Sequence, residues 1–188
     1  MLKKLVSIGL AAIWPSSGAM ETSSSKAPRT LSSLLSVNPA SCETGSSRRI
    51  LADPKEICDT FYLALTIYRE ARGEPLAGKA GVAHTVLNRV ANPTWWGNSI
   101  DSVVTKKWQF SSLTDPNDKQ LTKWPLLTDS VWQACLQCAI ECLNGTISDP
   151  TGGATHFFVE GTPAPKWVDT DAQYNGRIGN HNFYQRTA

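Results

Sequence analysis

Residues 57–90 read ICDTFYLALTIYREARGEPLAGKAGVAHTVLNRV, and the spacing of their apolar positions sets the fold class. Ile57, Phe61, Ala64, Leu65 and Tyr68 recur at threes and fours. That period predicts an amphipathic helix from Lys55 to Ala71. Asp53 before Pro54 offers an N-cap and a proline in the first helical position, and Gly73 and Pro75 stop the helix. A second helix is expected over residues 77–91, with Ala80, Ala83, Val86, Leu87 and Val90 as its buried stripe and Asn92-Pro93 as its end.

Reading outward, Trp95 to Asn98 is a turn-rich aromatic loop, and Ile100 to Val104 fits a short helix or a strand alike. Residues 114–125 are polar and broken by proline, the composition of a surface loop. Thr128 is read as the N-cap of a third helix that ends at Asn144-Gly145. Thr155 to Glu160 is a strand by its β-branched and aromatic content, Gly161 to Pro165 a turn, and His181 to Gln185 a last short strand. The expected architecture is a helix-dominated α+β domain over residues 53–188 with a small C-terminal β-hairpin.

The N-terminal third reads differently. Lys3 and Lys4 precede an apolar run from Leu5 to Trp14 and a small, polar stretch ending Ser17-Gly18-Ala19. This is the three-part pattern of a secretory signal, cleaved after Ala19; a frayed apolar terminus or short anchor is the alternative. Residues 20–52 are Ser-rich and interrupted by Pro28 and Pro39, which reads as a linker or tether. The chain carries 18 Lys plus Arg against 16 Asp plus Glu. That balance argues against a nucleic-acid partner, which calls for a concentrated basic face. No apolar run reaches the roughly 18 residues of a membrane span. The expected location is outside the cytoplasm, in the periplasm or cell wall.

The five cysteines, Cys42, Cys58, Cys135, Cys138 and Cys142, are an odd count for an exported chain. The last three fall on one helical face, which reads first as small buried hydrophobes. A disulfide from Cys58 to that face, or a metal or redox site, is the sharper alternative.

The densest chemistry is Tyr68 to Glu74, YREARGE, at the end of an apolar helix. Glu70 in the last turn can point into a cleft. Desolvation there raises a carboxyl pKa and keeps it protonated, as a general acid for glycosidic cleavage requires. A solvated helix end, with Arg69 to Glu74 pairing locally, is the plainer alternative.

The motifs resemble the spore-cortex-lytic type of cell wall hydrolase, the SleB/CwlJ family. Glu70-Ala71-Arg72-Gly73-Glu74-Pro75, Gly78, Val82-Ala83 and Leu87-Asn88-Arg89-Val90 match its first half. In the same order follow Trp108-Gln109-Phe110-Ser111, Asp149 to Phe158 (DPTGGATHFF), Pro165-Lys166-Trp167 and Ile178 to Tyr184 (IGNHNFY). The resemblance covers residues 57–185. It implies a lysozyme-like helical core and a partner in the glycan strands of peptidoglycan. It also implies lytic transglycosylase activity, with Glu70 as the catalytic acid and no cofactor.

Around that acid, Glu74 is read as an orienting partner for Arg72 or Arg89. Trp108, Phe110 and Tyr184 are candidates for stacking on sugar faces, and Gln109 and Asn180 for bonding hydroxyls or acetamides. Thr155 and His156 would form a cleft wall, with His156 as a possible second proton carrier, and His181 joins the substrate-binding set. Trp95, Trp96 and Trp167 either shape the cleft rim or pack. Glycosidases that use water generally need two carboxylates. Asp101, Asp115, Asp118, Asp169 and Asp171 lie in expected loops or element ends, so no second acid stands in a comparable motif. The rival readings are a muramidase-type hydrolase with a second carboxylate, a metal-dependent amidase drawing on His84, His156 and His181, and a non-catalytic glycan-binding module.

Overall fold

The computed structural model describes residues 53–186. The leader expected at residues 1–19, the linker at 20–52 and Cys42 lie outside the described residues. Helix α1 runs Pro54–Ala71; the Asp53 carboxylate accepts from the Lys55 amide at 3.0 Å and caps it. Helix α2 runs Leu76–Ala91. Ile100–Val104 is helix α3, and the reciprocal Ser99–Ser102 capping box explains why helix prevails over strand. A single helical turn, α4, spans Ser111–Thr114; one turn leaves no apolar period to read. Helix α5 runs Ser130–Leu143. Its cap is Asp129, which accepts from the Val131 amide at 2.8 Å, and not the Thr128 expected from the sequence. The Asp129 carboxylate also accepts from the Tyr68 hydroxyl, so it ties α5 to α1.

The core lies between α1, α2 and α5. Leu63, Ile67, Val86 and Val103 are fully buried, and each such side chain contributes about 1.5–3 kcal/mol. Cys135, Cys138 and Cys142 are buried on the inner face of α5 as small hydrophobes, and burial pushes the Cys135 thiol up to about 11. Cys58 is exposed and free, so the Cys58 disulfide to that face is not formed.

Three antiparallel strands close the domain: β1 His156–Val159, β2 Ala172–Ile178 and β3 His181–Arg186, in the order β1-β3-β2. The pair expected from the sequence is β1 with β3, His156 standing opposite Tyr184. The sheet is larger than the expected hairpin by β2. That strand is polar, has no buried residue and is broken by a register shift between Tyr174 and Gly176, so it lacks clean alternation. The sheet docks on α2 at Gly81, where an added Cβ would stand 2.6 Å from the Phe183 ring. Among the described residues no helix is long and apolar enough to cross a membrane.

Candidate active site

Glu70 ends α1 at the wall of a cleft of about 410 Å³. The segment Trp108–Ser111, strand β1, Trp95, Trp167, Arg89 and Arg186 line the rest. Among the described residues, Glu70 is the one carboxylate in that lining. It is half-buried, and its Oε1 accepts a hydrogen bond from the Ser112 hydroxyl. Loss of water pushes its pKa up. The Ser112 bond and nearby Arg69 oppose that shift, and the charge of Asp118 adds to it.

Neighbouring charges on α1 take separate directions. Arg69 is only 6% exposed and turns into the protein. Its guanidinium donates to the carbonyls of Ser112 at 3.0 Å and Leu121 at 2.9 Å and stacks on Trp124 at 4.9 Å. It thus pins the 112–124 loop that carries the serine held by Glu70. Glu74 is buried at the start of α2. The solvated helix end considered from the sequence is therefore not formed.

Glu74 does not orient Arg72 or Arg89. Its carboxylate accepts from the Asn180 amide and the Asn180 side chain, each at 2.9 Å. Burial works against this charge, but the two Asn180 bonds, with His181 and Lys79 nearby, hold its pKa below the ordinary range. Arg72 instead donates to Gln120 at 2.8 Å, and Arg89 to the Thr155 carbonyl at 2.7 Å and Gln109 at 3.2 Å.

The sequence candidates thus separate into three places. Glu70, Trp108, Gln109, Phe110 and His156 line the cleft. Trp108 does so on a left-handed backbone, φ 69°, a conformation costing roughly 1–2 kcal/mol for a residue with a Cβ. Thr155 stands behind His156, its hydroxyl 3.0 Å from Nδ1. Tyr184 stacks on Phe158 at 5.7 Å and meets Trp167 edge-on at 5.5 Å, on the face of the sheet that continues from the cleft. Glu74, Asn180 and His181 cluster where the β2–β3 turn meets the α1–α2 turn. His181 packs against Phe157 at 5.1 Å. Of the three tryptophans in question, Trp95 and Trp167 line the cleft and Trp96 is in the core.

Sequence reasoning missed Ser112 and the placement of Asn88 and Arg89. Asn88 donates to Asp149 and to the Ala154 carbonyl, both at 2.9 Å. Asp149 also accepts from the Thr151 and Gly153 amides at 2.8 Å each. The Asn-Arg pair therefore fastens α2 to the turn that launches β1. The sequence signals for it were the Leu87-Asn88-Arg89-Val90 motif and the adjacency of Asn88 and Arg89 to the apolar stripe.

His156 sits in the cleft wall between Trp96 and Trp167. Burial, then the charges of Arg89 and Arg186, pull its pKa down to about 3. At neutral pH this leaves it an uncharged hydrogen-bonding group. Because the unfolded histidine takes a proton near pH 6.5 and the folded one refuses it until about 3, stability is full above 6.5 and falls as pH drops toward 3. Between pH 7 and pH 4 this amounts to about 2–3 kcal/mol after solvent screening. His156→Gln should shrink the pH 7 to pH 4 difference in urea-unfolding free energy by that amount. An unchanged difference would place the acid sensitivity in the carboxylates instead.

Among the described residues, no three of His, Cys, Asp and Glu come together as metal ligands. His84 faces the Ile147 carbonyl at 3.0 Å, apart from His156 and His181.

A sequence-family profile described as Cell Wall Hydrolase matches residues 73–184, so Glu70 stands three residues ahead of the matched span. The chain is 34% identical over 125 residues to the spore cortex-lytic enzyme of Halalkalibacterium halodurans, covering 66% of this chain and 34% of that protein. It is 30% identical to that of Bacillus subtilis, covering 66% and 37%. The chain thus spans little more than a third of these relatives. Two solved structures match more fully. The catalytic domain of the Bacillus cereus SleB protein shares 29% identity at a TM-score of 0.52, covering 68% of this chain and 89% of that one. The catalytic domain of the germination-specific lytic transglycosylase SleB from Bacillus anthracis shares 27% at 0.55, covering 76% and 99%. The helix-dominated α+β, lysozyme-like fold expected from the motifs is the one shared with these domains.

Proposed function

The chain belongs to the cell wall hydrolase family, and from that premise we propose that it cuts the glycan strand of peptidoglycan as a lytic transglycosylase, with Glu70 as acid and then base. The observation that carries this reading is a single half-buried carboxylate in an aromatic cleft, its pKa raised by desolvation. Protonated Glu70 donates to the oxygen leaving C1 of an N-acetylmuramic acid residue. The carboxylate then takes the proton from that sugar's 6-hydroxyl as its oxygen closes on C1. The bond broken is C1–O to the next sugar, the bond formed is C1–O6, and no water is consumed. Ser112 holds Glu70 in place, and Trp95, Trp108 and Trp167 offer flat faces for sugar rings.

Asp118 supports a second reading, hydrolysis with two carboxylates. Its charge acts on Glu70, and Ser111 and the Gln120 amide hold it at 2.7 and 2.8 Å. Asp118 is not in the cleft lining, which favours the single-acid route.

Digestion of purified peptidoglycan, with the new ends identified by mass spectrometry, tests the proposal. Anhydromuramic ends support it. Reducing muramic ends replace it with hydrolysis, and no soluble product turns the protein into a binding module. The activity should also fall as pH rises through the elevated Glu70 pKa, because the acid must enter protonated. A kcat/KM profile flat across that range would place the acid elsewhere. The substrate lies outside the cytoplasmic membrane, in keeping with the export expected from residues 1–19.

A further inference from the structure

Two arginines enter the cleft, and no acid in its lining neutralises them. Arg89 is 4% exposed. Its Nε and Nη1 are spent on neutral oxygens of Thr155 and Gln109, and its plane lies over Phe110 at 5.2 Å. Among the described residues it has no carboxylate within ion-pair distance. Arg186 has one, the exposed Asp171 at 3.9 Å, and its Nε is buried without a hydrogen-bond partner among the described residues. Arg89 Nε donates to the Thr155 carbonyl at 2.7 Å and the Arg186 amide donates to the Thr155 hydroxyl at 2.9 Å, so both arginines flank Thr155–His156 in the cleft lining.

A guanidinium taken out of water without a counter-charge is costly. The cost is recovered when an anion arrives, most strongly a planar carboxylate that meets the fork of an arginine. Neutral His156 adds no competing charge and leaves the wall polar.

We propose that the Arg89–Arg186 end of the cleft is a subsite for a substrate carboxylate. The ligand class is the free lactyl carboxylate of a muramic acid residue, or a carboxylate of the peptide attached there. The inference rests on the glycan-strand reading above and adds to it a charge requirement that the cleaved bond itself does not have.

The test uses the full-length chain carrying Glu70→Gln, so that ligands stay intact. Calorimetry compares three peptidoglycan tetrasaccharides: peptide-free with free lactyl carboxylates, peptide-free with those carboxylates methyl-amidated, and peptide-bearing. Free acid should bind about tenfold tighter than amide, the effect of one charge-assisted hydrogen bond. Arg186→Gln, at the half-buried end of β3, should erase that difference without asking the buried Arg89 to be replaced. If the peptide-bearing form alone shows the Arg186-dependent gain, the carboxylate comes from the peptide. Equal binding of all three, indifferent to Arg186, overturns the subsite and leaves glycan recognition standing. Failure of all three to bind removes both.

Discussion

Glu70→Gln should lower glycan cleavage by roughly three orders of magnitude, the range lost with a general acid, while the protein folds as before. The amide keeps the shape of the side chain and can still accept from the Ser112 hydroxyl. Since burial disfavours the Glu70 charge, a neutral isostere removes a cost and leaves Tm unchanged or slightly higher. What the amide lacks is a proton to give and a base to receive one. Release of anhydromuramic ends, measured beside a thermal melt, separates the two properties. Substantial remaining cleavage with a normal melt would transfer the acid role, and Asp118, whose charge already reaches Glu70, would be examined first.

Gly179→Ala should lower stability by about 3–4 kcal/mol. Gly179 turns β2 into β3 at φ 59°, which costs an alanine about 1–2 kcal/mol. Its added Cβ would also collide with the Glu74 carboxylate. To make room, Glu74 must give up Asn180, and hydrogen bonds to a charged group contribute about 1.5–3 kcal/mol. The two parts can be told apart. In a Glu74→Ala background the collision disappears and only the φ strain is left, so the double variant should lose about 1.5–3 kcal/mol less than the sum of the singles. Urea unfolding of the four proteins measures this. Strict additivity would mean that the turn and the carboxylate do not share a contact.

The same junction shows where reading the sequence stopped. Glu74 follows Glu70 by four residues and precedes a proline, which marks it as leaving the helix but not as going anywhere. Its partner lies 106 residues further on, in a turn whose pairing follows from the three-stranded sheet. Arg89 is similar. Its place beside an apolar stripe was visible, but its cleft-facing role depends on β1 arriving against α2, and that is set by Asn88 and Asp149. Strand β2 stayed hidden because a polar, bulged strand carries no two-residue alternation.

The sequence by itself determined the helical core, its boundaries near residues 54–71, 76–91 and 130–143, and the position of an acid in the last turn of the first helix. Those features follow from local period and capping, which act over a few residues. Tertiary structure alone decided what Glu70 faces, that Ser112 holds it, that Arg69 turns inward and that two arginines meet in one cleft. Desolvation and charge are properties of surroundings, and the surroundings of each of these groups come from parts of the chain tens of residues away.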